Sequence, residues 1–234
     1  MGSAEVSLKI GNDWDEALLG LGPTVDLKGL LEGLDEAFAK YPGQVNPPAA
    51  DVFRAFRETP LAKVKVVMIG QDPYPGHGVA DGLAFSARAQ RQAPASLVNL
   101  NREWNAEFHK DMPIRNDLTY LANQGVFLYN TCLISKDGTP MFFAGNEIFS
   151  VFSQAVIAKI SEAREHVVFI LLGRQAQKYE AAIDNAKHVV LKAAHPSPLS
   201  ANKGFFGSGI FRECNKDLSG LGLLPIDWLG LSLV

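Results

Sequence analysis

Four short apolar runs constrain this chain most: residues 64–69, 126–129, 167–172 and 189–191. Each is rich in β-branched residues or leucine and is continuous rather than alternating, the pattern of strands buried on both faces. Stretches with helical spacing lie between them, notably residues 97–108, 147–163 and 175–182. Strands separated by helices need crossover connections, so the sheet is expected to be largely parallel, with helices on both faces. Earlier in the chain, Leu27, Leu30, Leu31, Leu34 and Phe38 recur at helical spacing until Pro42 and Gly43 close the segment. Residues 49–58 read as a second short helix between a Pro-Pro start and Pro60. The expected fold is a three-layer α/β/α domain around a short, mostly parallel sheet of about four strands.

The length of 234 residues suits one domain over 1–234, with residues 1–13 expected to be flexible or tag-derived; Met1-Gly2-Ser3 reads equally as an expression scar and carries no targeting information. With 47% hydrophobic and 20% charged residues, the chain has the composition of a globular protein, not a disordered one. No apolar run reaches the roughly 18 residues of a spanning helix, and no signal-peptide pattern opens the chain, so a cytoplasmic monomer without membrane contact is the expectation. Cys132 and Cys214 are the two cysteines, and their spacing matches no zinc site, iron–sulfur cluster or disulfide framework, so neither metal nor cofactor is expected. A net charge of −3 supplies no global attraction to nucleic acid; any DNA site must be a local basic patch.

Chemistry-bearing residues follow each run: Gly70-Gln71-Asp72-Pro73-Tyr74 after the first, Asn130 after the second, Gly173-Arg174 after the third and His195-Pro196-Ser197-Pro198 after the fourth. In an open parallel sheet the carboxyl edge of the strands is where ligands bind. Four loops are therefore expected to converge on one site. Alone, each has a plainer reading: Asp72 as a turn cap before Pro73, Asn130 as a turn residue, His195 as a loop residue capping backbone groups, Phe85 as core and Arg174 as a solvated surface charge.

With Gly82-Leu83-Ala84-Phe85-Ser86 and the extension Leu199-Ser200 added, these motifs resemble family 1 uracil-DNA glycosylases, and the match runs from about Trp14 to Pro225-Ile226-Asp227-Trp228. The resemblance implies hydrolysis of the N-glycosidic bond between uracil and deoxyribose in DNA, single- or double-stranded, after the base is flipped out of the stack. It implies Asp72 at the sugar, stabilising positive charge and the attacking water, and His195 donating to the uracil oxygen that becomes anionic. It places the Gln71 backbone N–H at that oxygen, the Asn130 carboxamide on the N3–H and O4 edge, Phe85 stacked on the base and Tyr74 where thymine carries its methyl group. Ser96, Ser197 and Ser200, in loops stiffened by Pro94, Pro196 and Pro198, would grip phosphates; Lys203 would supply charge, and Arg174, after Gly173 in another loop of this kind, would add to it. Leu199 would be the wedge entering the vacated stack. By family analogy alone, a uracil-glycosylase inhibitor protein is a candidate partner.

The chain departs from the family at three places. Pro75 and Asp81 stand where histidines are usual, and Thr139-Pro140-Met141-Phe142-Phe143 replaces a histidine-containing segment. His77 lies close enough in sequence to compensate, and the grip on DNA is expected to be rearranged while base choice is kept. Two other readings share the fold: a glycosylase with another base preference, and a module that binds a lesion without cutting. A nucleotide-binding α/β enzyme is disfavoured because neither a Walker lysine motif nor G-x-G-x-x-G follows the first strand.

Overall fold

The computed structural model describes residues 6–233. Its strands are β1 (Val45–Asn46), β2 (Val66–Gly70), β3 (Val126–Asn130), β4 (Ser135–Lys136), β5 (Val168–Leu172) and β6 (Val189–Ala193). Its α-helices are α1 (Trp14–Leu19), α2 (Leu27–Lys40), α3 (Arg54–Glu58), α4 (Ala95–Glu107), α5 (Thr119–Ala122), α6 (Glu147–Ala163), α7 (Arg174–Gln177) and α8 (Ile210–Gly220). The four expected strands form one parallel sheet in the order β3-β2-β5-β6, flanked by helices as a three-layer α/β/α domain. The register sets Gly70 beside Asn130 and Leu172 beside Ala193, so the carboxyl ends of all four strands share one edge. A small antiparallel pair, β1 with β4, lies outside that sheet.

The reasons for these elements are local. Every residue of β2 and β5 is buried, as their continuous apolar runs require. β6 corrects the expectation of burial on both faces: it is mostly half-buried, and its exposed Lys192 meets Glu180 at 3.0 Å, a charge of the kind that blunts the edge β6 forms. α2 starts on Asp26, whose side chain accepts the Gly29 N–H at 2.8 Å, and buries Leu30, Leu34 and Ala37 on one face. α6 begins on Asn146, whose side chain accepts the Ile148 N–H at 3.0 Å, and buries Phe149, Phe152, Val156 and Ile160. The segments expected as single helices at 49–58 and 175–182 each divide into a 3-10 turn and a short α-helix. Three helices were not expected at all: α1, α5 and α8, the last burying Ile210, Phe211, Cys214 and Leu218.

Residues 6–13 correct the expectation of a flexible lead; residues 1–5 lie outside the described residues. Val6 and Ile10 are buried in the core, and the Val6 N–H donates to Asp35 Oδ1 at 2.9 Å. One aromatic cluster is built on Phe127 and Tyr129, two positions apart on β3 and so on one face of the sheet; Trp14, Phe56 and Phe152 join it, Trp14 to Phe127 at 5.4 Å between centroids. A second cluster joins Trp104 of α4, Phe211 of α8 and Trp228, with Phe211 and Trp228 centroids 4.9 Å apart. Among the described residues, no helix is long and apolar enough to cross a membrane.

Beside the second cluster, α4 buries two carboxyls one turn apart. Glu103 Oε2 accepts the Gly207 N–H at 3.0 Å and Glu107 Oε2 accepts the Arg212 N–H at 2.7 Å, while the Oε1 atom of each has no partner among the described residues. Burial first, and then the neighbouring Glu103, push the Glu107 carboxyl up to about 7, against the Arg212 N–H that pulls it down. The folded protein therefore holds a proton there that the unfolded chain gives up at lower pH. The stability this contributes is complete at acidic pH and is lost as pH rises to about 7, an amount on the order of 2 kcal/mol. Glu107→Gln keeps an acceptor for Arg212 and offers Glu103 a donor. It is expected to raise Tm at pH 8 by about 5 °C and to change it little at pH 5, measured by thermal unfolding at both values.

Candidate active site

The carboxyl edge gathers the expected residues by close main-chain approaches. Thr131 and Cys132, just past β3, donate their N–H groups to the carbonyls of Gly70 and Gln71 at 3.1 and 2.8 Å, which ties the loops after β2 and β3 together. At Gly70 the missing side chain is the space the Asn130 carboxamide occupies: an added Cβ would run into Asn130 Oδ1, which would have to move. Among the described residues, no hydrogen-bonding partner engages that carboxamide, which leaves both its donor and its acceptor open.

Asp72 is half-buried, and its Oδ2 accepts the Met141 N–H at 2.9 Å. Desolvation raises its carboxyl above the ordinary range, with the Met141 N–H and its own N–H opposing the shift. Phe85 is buried and holds φ at +66°, in the left-handed region that a bulky residue rarely adopts. The Tyr74 hydroxyl donates to the Phe85 carbonyl at 3.0 Å, and Ser135 Oγ donates to the Tyr74 carbonyl at 3.2 Å, so the two aromatic residues hold each other in place. The Phe85 ring lies 5.7 Å from the His195 ring, tilted by 41°.

His195 is fixed from several sides. The Ser197 N–H donates to its Nδ1 at 3.0 Å, Ser200 Oγ donates to its carbonyl at 2.8 Å, and Asn99 Nδ2 of α4 donates to the Pro196 carbonyl at 2.7 Å. An Nδ1 that accepts a hydrogen bond carries no proton, so in the neutral ring the proton sits on Nε2. Burial lowers the pKa of His195 and favours that neutral form. Gly173 packs against this residue: its φ is +87°, and a Cβ would meet His195 Cβ at 2.9 Å. Gly173→Ala is expected to displace the imidazole and slow turnover by about 10²-fold, the cost of a misplacement on the order of 1 Å. A crystal structure of the variant with its steady-state kinetics checks this, a shifted ring being required alongside the slower rate.

A cleft of about 630 Å³ opens next to His195, and Gln71, Arg174, Leu199, Ser200 and Lys203 line it. Leu199 is 84% exposed at its rim, and the side chains of Arg174 and Lys203 are exposed, giving a local positive patch in a chain of net charge −3. Ser197, whose Oγ accepts the Leu199 N–H at 3.3 Å, and the exposed Pro198 shape that rim. Pro94 and Ser96 stand at the start of α4, joined to the rim by the Asn99–Pro196 bond. Asp72, Tyr74, Phe85, Asn130, Pro94 and Ser96 do not line this cleft; the contacts above connect them to it.

Two residues of the departing segments take places the sequence does not give. Asp81, where a histidine is usual, is buried, pairs with Arg54 at 3.2 Å, and accepts from the Leu83 N–H, the Arg88 N–H and the Ser86 hydroxyl, anchoring the segment that carries Phe85. His77 is engaged elsewhere, its Nδ1 lying 2.7 Å from Asp137 Oδ2. Asn99 and Met141 escaped sequence reasoning. Asn99 acts through a carbonyl distant in sequence, and Met141 through a main-chain N–H that no side-chain pattern marks. Among the described residues, no three His, Cys, Asp or Glu side chains cluster as a metal site.

A parallel sheet that brings a half-buried carboxylate and a half-buried histidine to one carboxyl edge, with a buried phenylalanine ring beside the histidine and a cleft carrying two exposed cations, is an α/β domain whose titratable groups gather outside its strand ends, where such sheets bind ligands. A family model described as "Uracil DNA glycosylase superfamily" matches residues 56–219. The uracil-DNA glycosylase of Azotobacter vinelandii is 41% identical over 230 residues, covering 97% of this chain and 97% of that protein. Among solved structures, mimivirus uracil-DNA glycosylase superposes with a TM-score of 0.87 at 23% identity, over 96% of this chain and 90% of that one. A variant of the mimivirus protein in complex with UGI reaches 0.88 at 24% identity, over 96% and 92%. The chain belongs to the uracil-DNA glycosylase superfamily.

Proposed function

We propose that this protein hydrolyses the N-glycosidic bond between uracil and deoxyribose in DNA, releasing free uracil and leaving an abasic site. Breaking that bond leaves cationic character on the sugar and negative charge on the departing base. Asp72 meets the first charge and orients the attacking water; His195 meets the second. The observation that carries this reading is the Ser197 N–H donated to His195 Nδ1 at 3.0 Å, because it puts the remaining proton on Nε2, where a neutral ring can donate to the uracil oxygen. The Gln71 N–H adds to that contact.

Asn130, with its carboxamide open, pairs with the N3–H and O4 of uracil. Cytosine offers the opposite pattern, and each unpaired buried group costs it about 1–3 kcal/mol. Phe85 stacks on the base, and Tyr74, held against Phe85, excludes the thymine methyl group. Extracting the base from a duplex costs a few kcal/mol; Leu199, exposed at the rim, fills the gap, while Ser96, Ser197, Ser200, Arg174 and Lys203 take the phosphates, with Pro94, Pro198 and Gly173 shaping their loops. The bacterial relatives support work in the cytoplasm as a single domain over 1–234, and the UGI complex of the mimivirus protein extends here to inhibition by UGI.

The test is a set of labelled oligonucleotides that differ at one position, bearing uracil, thymine or cytosine, incubated with the protein and then cleaved at abasic sites with alkali. Cleavage confined to the uracil strand is expected. Preferential cleavage of thymine mispairs would give the site another base, and tight uracil-DNA binding without base release would make it a lesion-binding module.

A further inference from the structure

The segment that departs from the family supplies two exposed apolar side chains beside the candidate catalytic carboxylate. Met141 and Phe142 are 50% and 42% exposed, and the Met141 N–H is the group that bonds Asp72 Oδ2 at 2.9 Å. Phe142 is therefore one peptide unit from a contact to Asp72, on the Asp72 side of the site, whereas Leu199 stands on the His195 side. Its ring is held firmly for an exposed residue. Tyr41 meets it edge-to-face at 5.5 Å and Phe143 at 4.8 Å. The Lys136 ammonium lies 4.8 Å from the Phe142 centroid and 4.3 Å from that of Tyr41, and no carboxylate pairs with it among the described residues.

A part-exposed aromatic ring packed edge-to-face by two others, beside an ammonium with no carboxylate partner among the described residues and one residue along from the Met141 contact to Asp72, has the two components of single-strand recognition: a π-face for a base and a positive charge for its phosphate. We propose that Phe142 is a stacking platform for the base next to the flipped uracil on the Asp72 side, with Lys136 meeting the phosphate of that nucleotide. A purely structural role for the segment would require the Met141 N–H and the buried part of Phe143, but not a part-exposed Phe142 ring beside a cation that has no carboxylate partner among the described residues. The proposal rests on the reading that this chain acts on uracil in DNA.

The experiment measures uracil release by the wild-type protein, Phe142→Ala, Phe142→Trp and Lys136→Gln. The substrates are single-stranded oligonucleotides in which the base on one side of the uracil, then the other, is replaced by an abasic spacer. Phe142→Ala is expected to lower kcat/KM on the intact strand by about 5- to 100-fold, the range of one base–aromatic stack, with the loss in KM rather than kcat. The wild type should lose a similar factor when the spacer replaces one particular neighbour, and Phe142→Ala should lose little more there, since the same stack is already gone. Phe142→Trp should keep the wild-type values, and Lys136→Gln should flatten the slope of log affinity against log salt by about 1.

An active Phe142→Ala within twofold of wild type on every substrate overturns the platform and leaves the proposed reaction standing. The platform is equally overturned by a loss that is the same with either spacer and falls on kcat with a shifted pH profile, because that would assign Phe142 to the placement of Asp72. A wild-type protein that releases no uracil overturns the platform and the proposed reaction together.

Discussion

Asp72→Asn is expected to slow single-turnover release of uracil by about 10³-fold while the protein still binds uracil-containing DNA. The size follows from charge: opposite unit charges about 4 Å apart at an effective dielectric of about 20 attract by ~4 kcal/mol, and each 1.4 kcal/mol of transition-state stabilisation is about tenfold in rate. Asparagine keeps the size and the acceptor for Met141 but not the charge. On the proposed mechanism the same residue is expected to set the acid limb of the pH–rate profile. Its carboxyl titrates above the ordinary carboxylate range because it is desolvated, and the charged form is the working one, so the wild-type rate should fall as pH drops through that raised value. Stopped release at fixed times across pH 4–8 (a range set by the ordinary pKa values of carboxylates and histidine) reads both effects; a pH-independent rate in that range would remove Asp72 from the chemistry.

His195→Ala is expected to cost about 10²- to 10³-fold in kcat, the usual result of deleting one donor from an anion-stabilising site. The proposed mechanism asks for a neutral donor, and two features favour one. Burial lowers the pKa of His195, and the Ser197 N–H on Nδ1 leaves no acceptor there for a second proton. Protonation of this ring should therefore not limit the rate in the neutral range, and the His195→Ala variant should keep the same acid limb as the wild type. Nitrogen-15 NMR of the imidazole would check the tautomer independently of activity, a protonated Nδ1 at neutral pH being incompatible with the assigned role.

Much of the architecture was legible because it rests on composition along the strand. Runs buried on both faces are apolar without alternation, and β2, β3 and β5 therefore announced themselves; β6 did so although it is mostly half-buried, because its run is apolar as far as Lys192. The polar residues just past each run were legible for the same reason: the hydrophobic run ends where the site begins. α1 and α5 were too short for a period to register, and the polar face of α8 masked its four buried positions. The tail at 6–13 was misjudged because its burial depends on two side chains, Val6 and Ile10, and on a hydrogen bond to Asp35 far along the chain.

Within the site, what the sequence could not disclose is the set of contacts made through the main chain. Gly70 and Gly173 matter for the atoms they lack, a property visible only once Asn130 and His195 are set against them. What Asp81 does where a histidine is usual was not legible, because a family resemblance supplies a position but no environment; its partner Arg54 lies far away in sequence on α3. Met141 carries its contact to Asp72 on a peptide N–H, which any residue but proline could provide.

The most direct measurement of the central claim is single-turnover release of free uracil from an oligonucleotide bearing one uracil, with a chelator present, by the wild type, Asp72→Asn, His195→Ala and the double variant. The account predicts rapid release by the wild type, losses of about 10³-fold and 10²- to 10³-fold in the single variants, and a double variant at least as slow as either. Wild-type rates in the single variants would contradict it, since the reaction would then be carried by residues other than the two that the sheet edge holds in place.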